Sequence, residues 1–201
     1  MSRLNVDKIT GATGTASGAP ITLSGDTATL GSGATYNGTI GTSATGFGLI
    51  TCADQWRITA NSTGSSGDLT SNFERNDSDS FEGIGSAMTE SSGIFSFPST
   101  GIWMIIATYT FDSNSGATLY AGVRIYTTTD NSSYNMRTNS YVNHPGSSYY
   151  GTSSSTLIFN VTNTTTHKIK FHRDTSNSSA ELRGHTDYNY NSFTFLRLGD
   201  T

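Results

Sequence analysis

The four histidines, His144, His167, His172 and His185, are the residues best equipped to hold a metal ion or relay a proton. Their spacing argues against both. His167 and His172 fall on one expected strand with opposite parity, so they face away from each other and form no two-histidine metal pair. A packed or solvated ring is the ordinary role of such residues. The run Asn76-Asp77-Ser78-Asp79-Ser80-Phe81-Glu82-Gly83 gathers oxygens in the manner of a Ca²⁺ loop. It lacks the EF-hand spacing and reads more simply as a solvated turn. Asp54 and Arg57, on either side of Trp56, are expected to pair with one another as a structural ion pair. No Ser/His/Asp set follows a nucleophile elbow, and no glycine loop precedes a helix to cradle phosphate. The 15 acidic residues are too scattered to nominate the carboxylate pair of a polysaccharide-degrading enzyme. The expectation is a protein without catalytic residues, bound metal or cofactor.

Recognition chemistry is better represented. Tyr134, Tyr141, Tyr149, Tyr150, Tyr188 and Tyr190 lie in or beside stretches of Asn, Ser, Gly and Asp. Tyrosine in that company suits an adaptable contact surface, because it gives contact area at low entropic cost. A face binding a surface glycan would set such rings against sugars and use Asn and Asp on hydroxyls. The alternative is that these are ordinary strand tyrosines, since Tyr favours strands.

The elements that would position these groups are strands. From Phe47 onward, strand signals recur between Gly, Ser, Asn and Asp turns: 48–60, 69–75, 83–88, 93–97, 101–112, 118–129, 134–143, 149–161, 165–173, 179–184 and 192–198. Alternation is plain in Leu119, Ala121, Val123 and Ile125, and again in Leu157, Phe159 and Val161. Segment 101–112 is unusual. Trp103, Ile105, Ala107, Tyr109 and Phe111 make one apolar face, while Ile102, Met104 and Ile106 make the other apolar as well. A strand that is greasy on both sides needs a second covering layer, supplied either inside the domain or by a neighbouring subunit.

Composition agrees with an all-β domain. Charged residues are only 13% of the chain and Gly, Ser, Thr and Asn fill the space, with no sustained helical period. A net charge of −4 with no Lys/Arg cluster argues against nucleic acid as a partner. No segment approaches membrane-spanning length and no secretory signal is evident, so synthesis in a reducing cytoplasm is expected. Cys52 is alone and is expected to be a small buried hydrophobe. Residues 1–46 differ from the rest: brief apolar alternations at Leu4, Val6, Ile9, Ile21 and Leu23 are set in Gly/Thr/Ser/Ala runs. Such a segment cannot by itself bury enough surface to offset its backbone entropy. It reads as an extended anchoring arm that docks on a partner or on copies of itself, ahead of one domain at 47–201.

Several stretches resemble the C1q/TNF-like jelly roll, in a form found in structural proteins of marine bacteriophages. They are Ala-Asp-Gln-Trp-Arg-Ile-Thr (53–59), Leu-Thr-Ser-Asn-Phe-Glu-Arg (69–75), the run from Gly83 to Trp103 containing Phe-Pro-Ser-Thr-Gly-Ile-Trp, and Phe-Thr-Phe-Leu-Arg-Leu-Gly-Asp-Thr (193–201). The opening Leu-Asn-Val-Asp-Lys-Ile-Thr-Gly (4–11), leading to Ala-Pro-Ile-Thr-Leu-Ser-Gly-Asp (19–26), is similar to the start of many phage fibre and virion proteins. The resemblance implies an all-β jelly-roll sandwich behind the arm, assembled as a homotrimer. It would place Ile102, Met104, Ile106, Phe193, Phe195, Leu196 and Leu198 at the trimer interface. There is no Gly-X-Y stalk, and fold alone does not give function. Two roles are therefore expected on a virion surface: a fibre-type host-contact knob, or a capsid decoration protein whose arm runs over other virion proteins.

Overall fold

A single long strand organises the second of the two units into which the chain divides, Met1–Thr45 and Gly46–Thr201. This strand, β9 (Gly101–Asp112), alternates without a break between fully buried and half-buried residues. The computed structural model describes residues 8–9, 21–24, 27–30, 50–78 and 82–201. In the first unit, β1 (Lys8–Ile9), β2 (Ile21–Ser24) and β3 (Thr27–Leu30) form an antiparallel sheet in the order β1-β2-β3. Ile9 pairs with Ile21, Ile21 with Leu30 and Leu23 with Ala28. Ile9, Ile21 and Leu23 thus belong to paired strands rather than to a solitary extended chain. Leu4 and Val6 lie outside the described residues.

The second unit is a sandwich of two antiparallel sheets. One runs β12 (Tyr150–Val161), β9, β15 (Ser192–Gly199), β4 (Cys52–Ile58), β6 (Phe73–Arg75), with β14 (Glu181–Leu182) also paired to β9. The other runs β11 (Asn135–His144), β10 (Thr118–Thr128), β13 (Lys168–Thr175), β8 (Ile94–Ser96), β7 (Thr89–Ser91), with β5 (Gly67–Asp68) paired to β13. The chain changes sheet between β9 and β10, between β11 and β12, and again between β12 and β13. That order is why local alternation locates the strands but not their neighbours.

The inward face of β9 carries Trp103, Ile105, Ala107, Tyr109 and Phe111, all with no exposed surface. Opposite them Val123, Ile125, Ile169 and Phe171 close the core. Phe95, on a strand of three residues, has rings of Trp56, Phe73, Phe171 and Phe195 at 5.0 to 5.4 Å and that of Phe193 at 6.5 Å. The β7–β8 hairpin turns through Ser92 and Gly93, both at positive φ (51° and 83°). A Cβ on Gly93 would sit 1.9 Å from the Leu69 carbonyl oxygen, so this tight turn requires glycine.

Several expectations need correcting. Phe193 and Phe195 are fully buried inside the protomer, paired with Ala107 and Ile105 on the inner face, and cannot meet a neighbouring chain. Leu119 is 78% exposed, because a register irregularity between Thr118 and Ala121 turns it out of the alternation. No strand spans 83–88; Ile84 makes only an isolated bridge to Ala53. Asp54 and Arg57 face opposite sides of β4 and do not pair with each other. Asp54 is buried and accepts from Trp56 Nε1 (3.0 Å), Arg75 Nε (3.0 Å) and the Met88 amide (2.8 Å). Arg57, 1% exposed, is bound by Glu74 (2.9 Å) and Asp77 (2.6 Å). Asp77 is thereby committed to an arginine.

Cys52 is 3% exposed, and its thiol donates to the Ser86 carbonyl at 3.0 Å. Burial first, and the Asp54 carboxylate second, push its pKa up to about 11, against a smaller pull from Arg197. The thiolate is the nucleophile, so the native protein should resist iodoacetamide at about pH 8 and label only once unfolded. Mass spectrometry with and without urea checks this. Ready native labelling would contradict the packing of β4.

Candidate functional site

The two sheets turn very different outer faces to their surroundings. On the first, antiparallel register sets Ile158 beside Met104, Met104 beside Leu196, Leu196 beside Ala53 and Ala53 beside Ile84. This is an apolar row across β12, β9, β15 and β4, continued by Ile84 outside the strands. Ile158 and Ile84 are 55% and 50% exposed; Met104, Leu196 and Ala53 are half-buried. Ile102 and Ile106 flank the row on β9, and both remain half-buried. Met104 and Ile106 are therefore not roofed from within the protomer. Leu198, at an irregularity between Arg197 and Gly199, is exposed beside them.

The same face changes character along β9. Thr108 pairs with Ser154 and Thr110 with Thr152 through hydroxyl hydrogen bonds of 3.1 Å. Beyond them, Tyr150, Asp112 and Glu181 stand in one row. Arg183 joins them: it pairs with Glu181 and lies over the rings of Tyr150 (5.7 Å) and Tyr190 (5.4 Å). His185 stacks on Tyr188 at 3.9 Å. Tyr188 donates to the Tyr190 hydroxyl, which raises the pKa of Tyr188 and, with Arg183, lowers that of Tyr190.

The outer face of the second sheet is polar and aromatic. Tyr141 lies over Gly122, where an added Cβ would be 2.8 Å from its ring, and it packs edge-on against Tyr120 at 5.4 Å. Its hydroxyl donates to Asp174 (2.8 Å) and accepts from Arg124 Nε (3.1 Å) and Asn139 (3.3 Å). The hydrogen bond to Tyr141 is the main reason the Arg124 pKa is raised. Further along the face, Asp68 binds Lys170 (2.6 Å) and His172 (2.9 Å). Burial opposes the charge on Asp68, but hydrogen bonds from Lys170 and His172 outweigh it and hold the carboxyl below its ordinary pKa. Lys170 in turn lies 4.5 Å from the Tyr134 ring and 5.7 Å from that of Tyr126. The result is a platform with Tyr120 and Tyr141 exposed and Tyr126 and Tyr134 half-buried, held by charge-assisted hydrogen bonds.

The six tyrosines therefore do not form one surface. Tyr134 and Tyr141 share the second sheet; Tyr150, Tyr188 and Tyr190 lie at the far end of the first. Tyr149 is in the crossover between β11 and β12, its backbone bonded to Ser113. Tyr120, Arg124, Tyr126, Asp68 and Lys170 complete the platform but escape notice when only tyrosine-rich loops are considered. The signal was present on β10, where Tyr120, Arg124 and Tyr126 occupy the positions alternate to the buried residues.

No protein-family model and no curated protein sequence matches the chain. Solved structures do. Murine APRIL at pH 5.0 superposes with a TM-score of 0.54 at 13% identity, over 73% of this chain and 98% of that one. Eiger TNF from S. frugiperda gives 0.54 at 8% identity, over 74% and 93%. PRD1 vertex protein P5 gives 0.44 at 16% identity, over 76% and 100%. The two higher scores, at these identities, show the fold alone: a TNF-like jelly-roll sandwich.

Proposed function

We propose that this chain is a structural protein of a bacteriophage virion surface, a homotrimeric knob of fibre type that contacts the host and performs no reaction. The observation that carries the reading is the apolar row Ile158, Met104, Leu196, Ala53 and Ile84 on an otherwise polar fold. A continuous apolar row crossing four adjacent strands marks a place of association. Ile102, Met104, Ile106, Leu196 and Leu198 then meet sister protomers. The unit Met1–Thr45 holds the knob to other virion proteins, with Leu4, Val6, Ile9, Ile21 and Leu23 as its apolar contacts. Sedimentation equilibrium should return a trimer at micromolar concentration; a monomer would remove the basis of the reading.

The platform on the second sheet is the proposed host contact, taking a surface glycan against Tyr120, Tyr134 and Tyr141. Several knobs on one particle convert weak single contacts into firm adsorption. Tyr134→Ala with Tyr141→Ala should lower virion adsorption at least about tenfold, the loss of little more than one contact of ordinary strength per knob. Tyr149→Ala should leave adsorption unchanged. The reverse pattern would move the contact to the crossover loop.

A second reading, capsid decoration, is favoured by the separateness of the Met1–Thr45 unit, which has strands of its own. Labelling of virions for electron microscopy separates the two, by tail against head.

A further inference from the structure

His144 closes β11 and is 1% exposed. Both ring nitrogens are buried, and neither has a hydrogen-bond partner in the protein. A buried polar group is ordinarily paired, so this ring is an exception. Glycine at 151 makes room for it: a Cβ there would lie 2.6 Å from Nε2 of His144 and 2.7 Å from a methyl of Val142. The imidazole is thus wedged where β11 of one sheet meets β12 of the other.

The strand end that carries the ring is lightly tied. Among the described residues β11 pairs with β10 alone, at the edge of its sheet. Ala121 pairs with Val142, but the last pair, Thr118 with His144, lies beyond an irregularity of register. The crossover 145–149 follows and is fastened through one buried residue, Ser113. The Ser113 amide donates to the Tyr149 carbonyl (3.0 Å) and its hydroxyl to the Gly146 carbonyl (2.6 Å), while the Tyr149 amide donates to that hydroxyl (2.9 Å). A segment held in this way can open without unfolding the sandwich.

Few charges act on the ring. Asp112, at the end of β9, favours its protonation, but that carboxylate also lies 3.9 Å from Arg183, which is itself paired with Glu181. Tyr109, on the inward face of β9, is kept neutral by its burial. β10 and β12 present Thr118 and Gly151, which do not titrate, and the crossover 145–149 holds no charged residue, its Tyr149 being exposed. Burial outweighs Asp112 and holds the His144 pKa below its ordinary value. We propose that His144 is an acid-released latch: a proton on its ring frees the end of β11 and the crossover 145–149. The closed form takes up that proton less readily than the opened one. The stability of the closed latch is therefore complete above the ordinary histidine pKa of about 6.5 and is lost as pH falls below it.

Hydrogen exchange of the full chain, corrected for the intrinsic pH dependence of amide exchange, reads the opening at 142–150. Between about pH 7.5 and about pH 5.0 the opening should rise at least about fivefold there, while β9 and β15 stay protected. His144→Leu, which puts an apolar side chain of similar volume in the same place, should remove the rise. If that variant fails to fold, NMR titration of the wild-type His144 ring decides the matter: a pKa below that of the denatured chain supports the latch, and one at or above it overturns it. Exchange at 142–150 that does not respond to acid, a rise shared equally by β9 and β15, or a rise undiminished in His144→Leu also overturns the proposal.

Discussion

Met104→Glu combined with Ile158→Glu should turn the proposed trimer into folded monomers. Both side chains lie on the outer face of the first sheet, paired across β9 and β12, and neither touches the core of its own protomer. In an isolated protomer the two carboxylates simply enter water, so circular dichroism and Tm should change little. In an assembly the same carboxylates would be buried against apolar surface without partners, at a cost of several kcal/mol per interface. The dissociation constant should rise by at least about a thousandfold. Sedimentation velocity reads the outcome directly. An unchanged assembly would show that protomers meet elsewhere, and the row would then need another covering.

Phe95→Ala should be among the most damaging single changes inside the protomer. Phe95 lies on β8, a strand of only three residues, yet five aromatic rings surround it. Truncation removes the transfer free energy of the ring and leaves a void that neighbours from both sheets cannot fill by a small shift. A loss of about 3–5 kcal/mol is expected, with Tm falling by roughly 10 °C. Urea unfolding measures it. A loss below about 1.5 kcal/mol would mean that the aromatic cluster repacks, and that the hairpin β7–β8 is less tightly held than its contacts indicate.

Much of this architecture was legible in the chain. The two-residue period of 101–112 marks β9 within its observed bounds, and its double apolarity anticipates a face that the protomer leaves open. The alternation of 192–198 also held information that a family resemblance obscured. Phe193 and Phe195 differ in parity from Leu196 and Leu198, so all four could not lie on one face, and the inner pair is the phenylalanines. Partners of charged residues were not legible. Asp54 reaches Arg75 because β6 pairs with β4, and Arg57 reaches Glu74 by the same register. No local pattern encodes that pairing. The tyrosines divide for a similar reason: the chain changes sheet between Tyr141 and Tyr150, and a run that is continuous in sequence is split between opposite sides.

The register of β12 against β9 sets the apolar row on one broad side of the jelly roll, apart from the Tyr120–Tyr141 platform on the other. If copies meet through the apolar row, as proposed, substitutions on the β10–β13 side can accumulate without disturbing that contact. Under the role proposed here, drift in host range and conservation of the particle's build are tasks for different sheets.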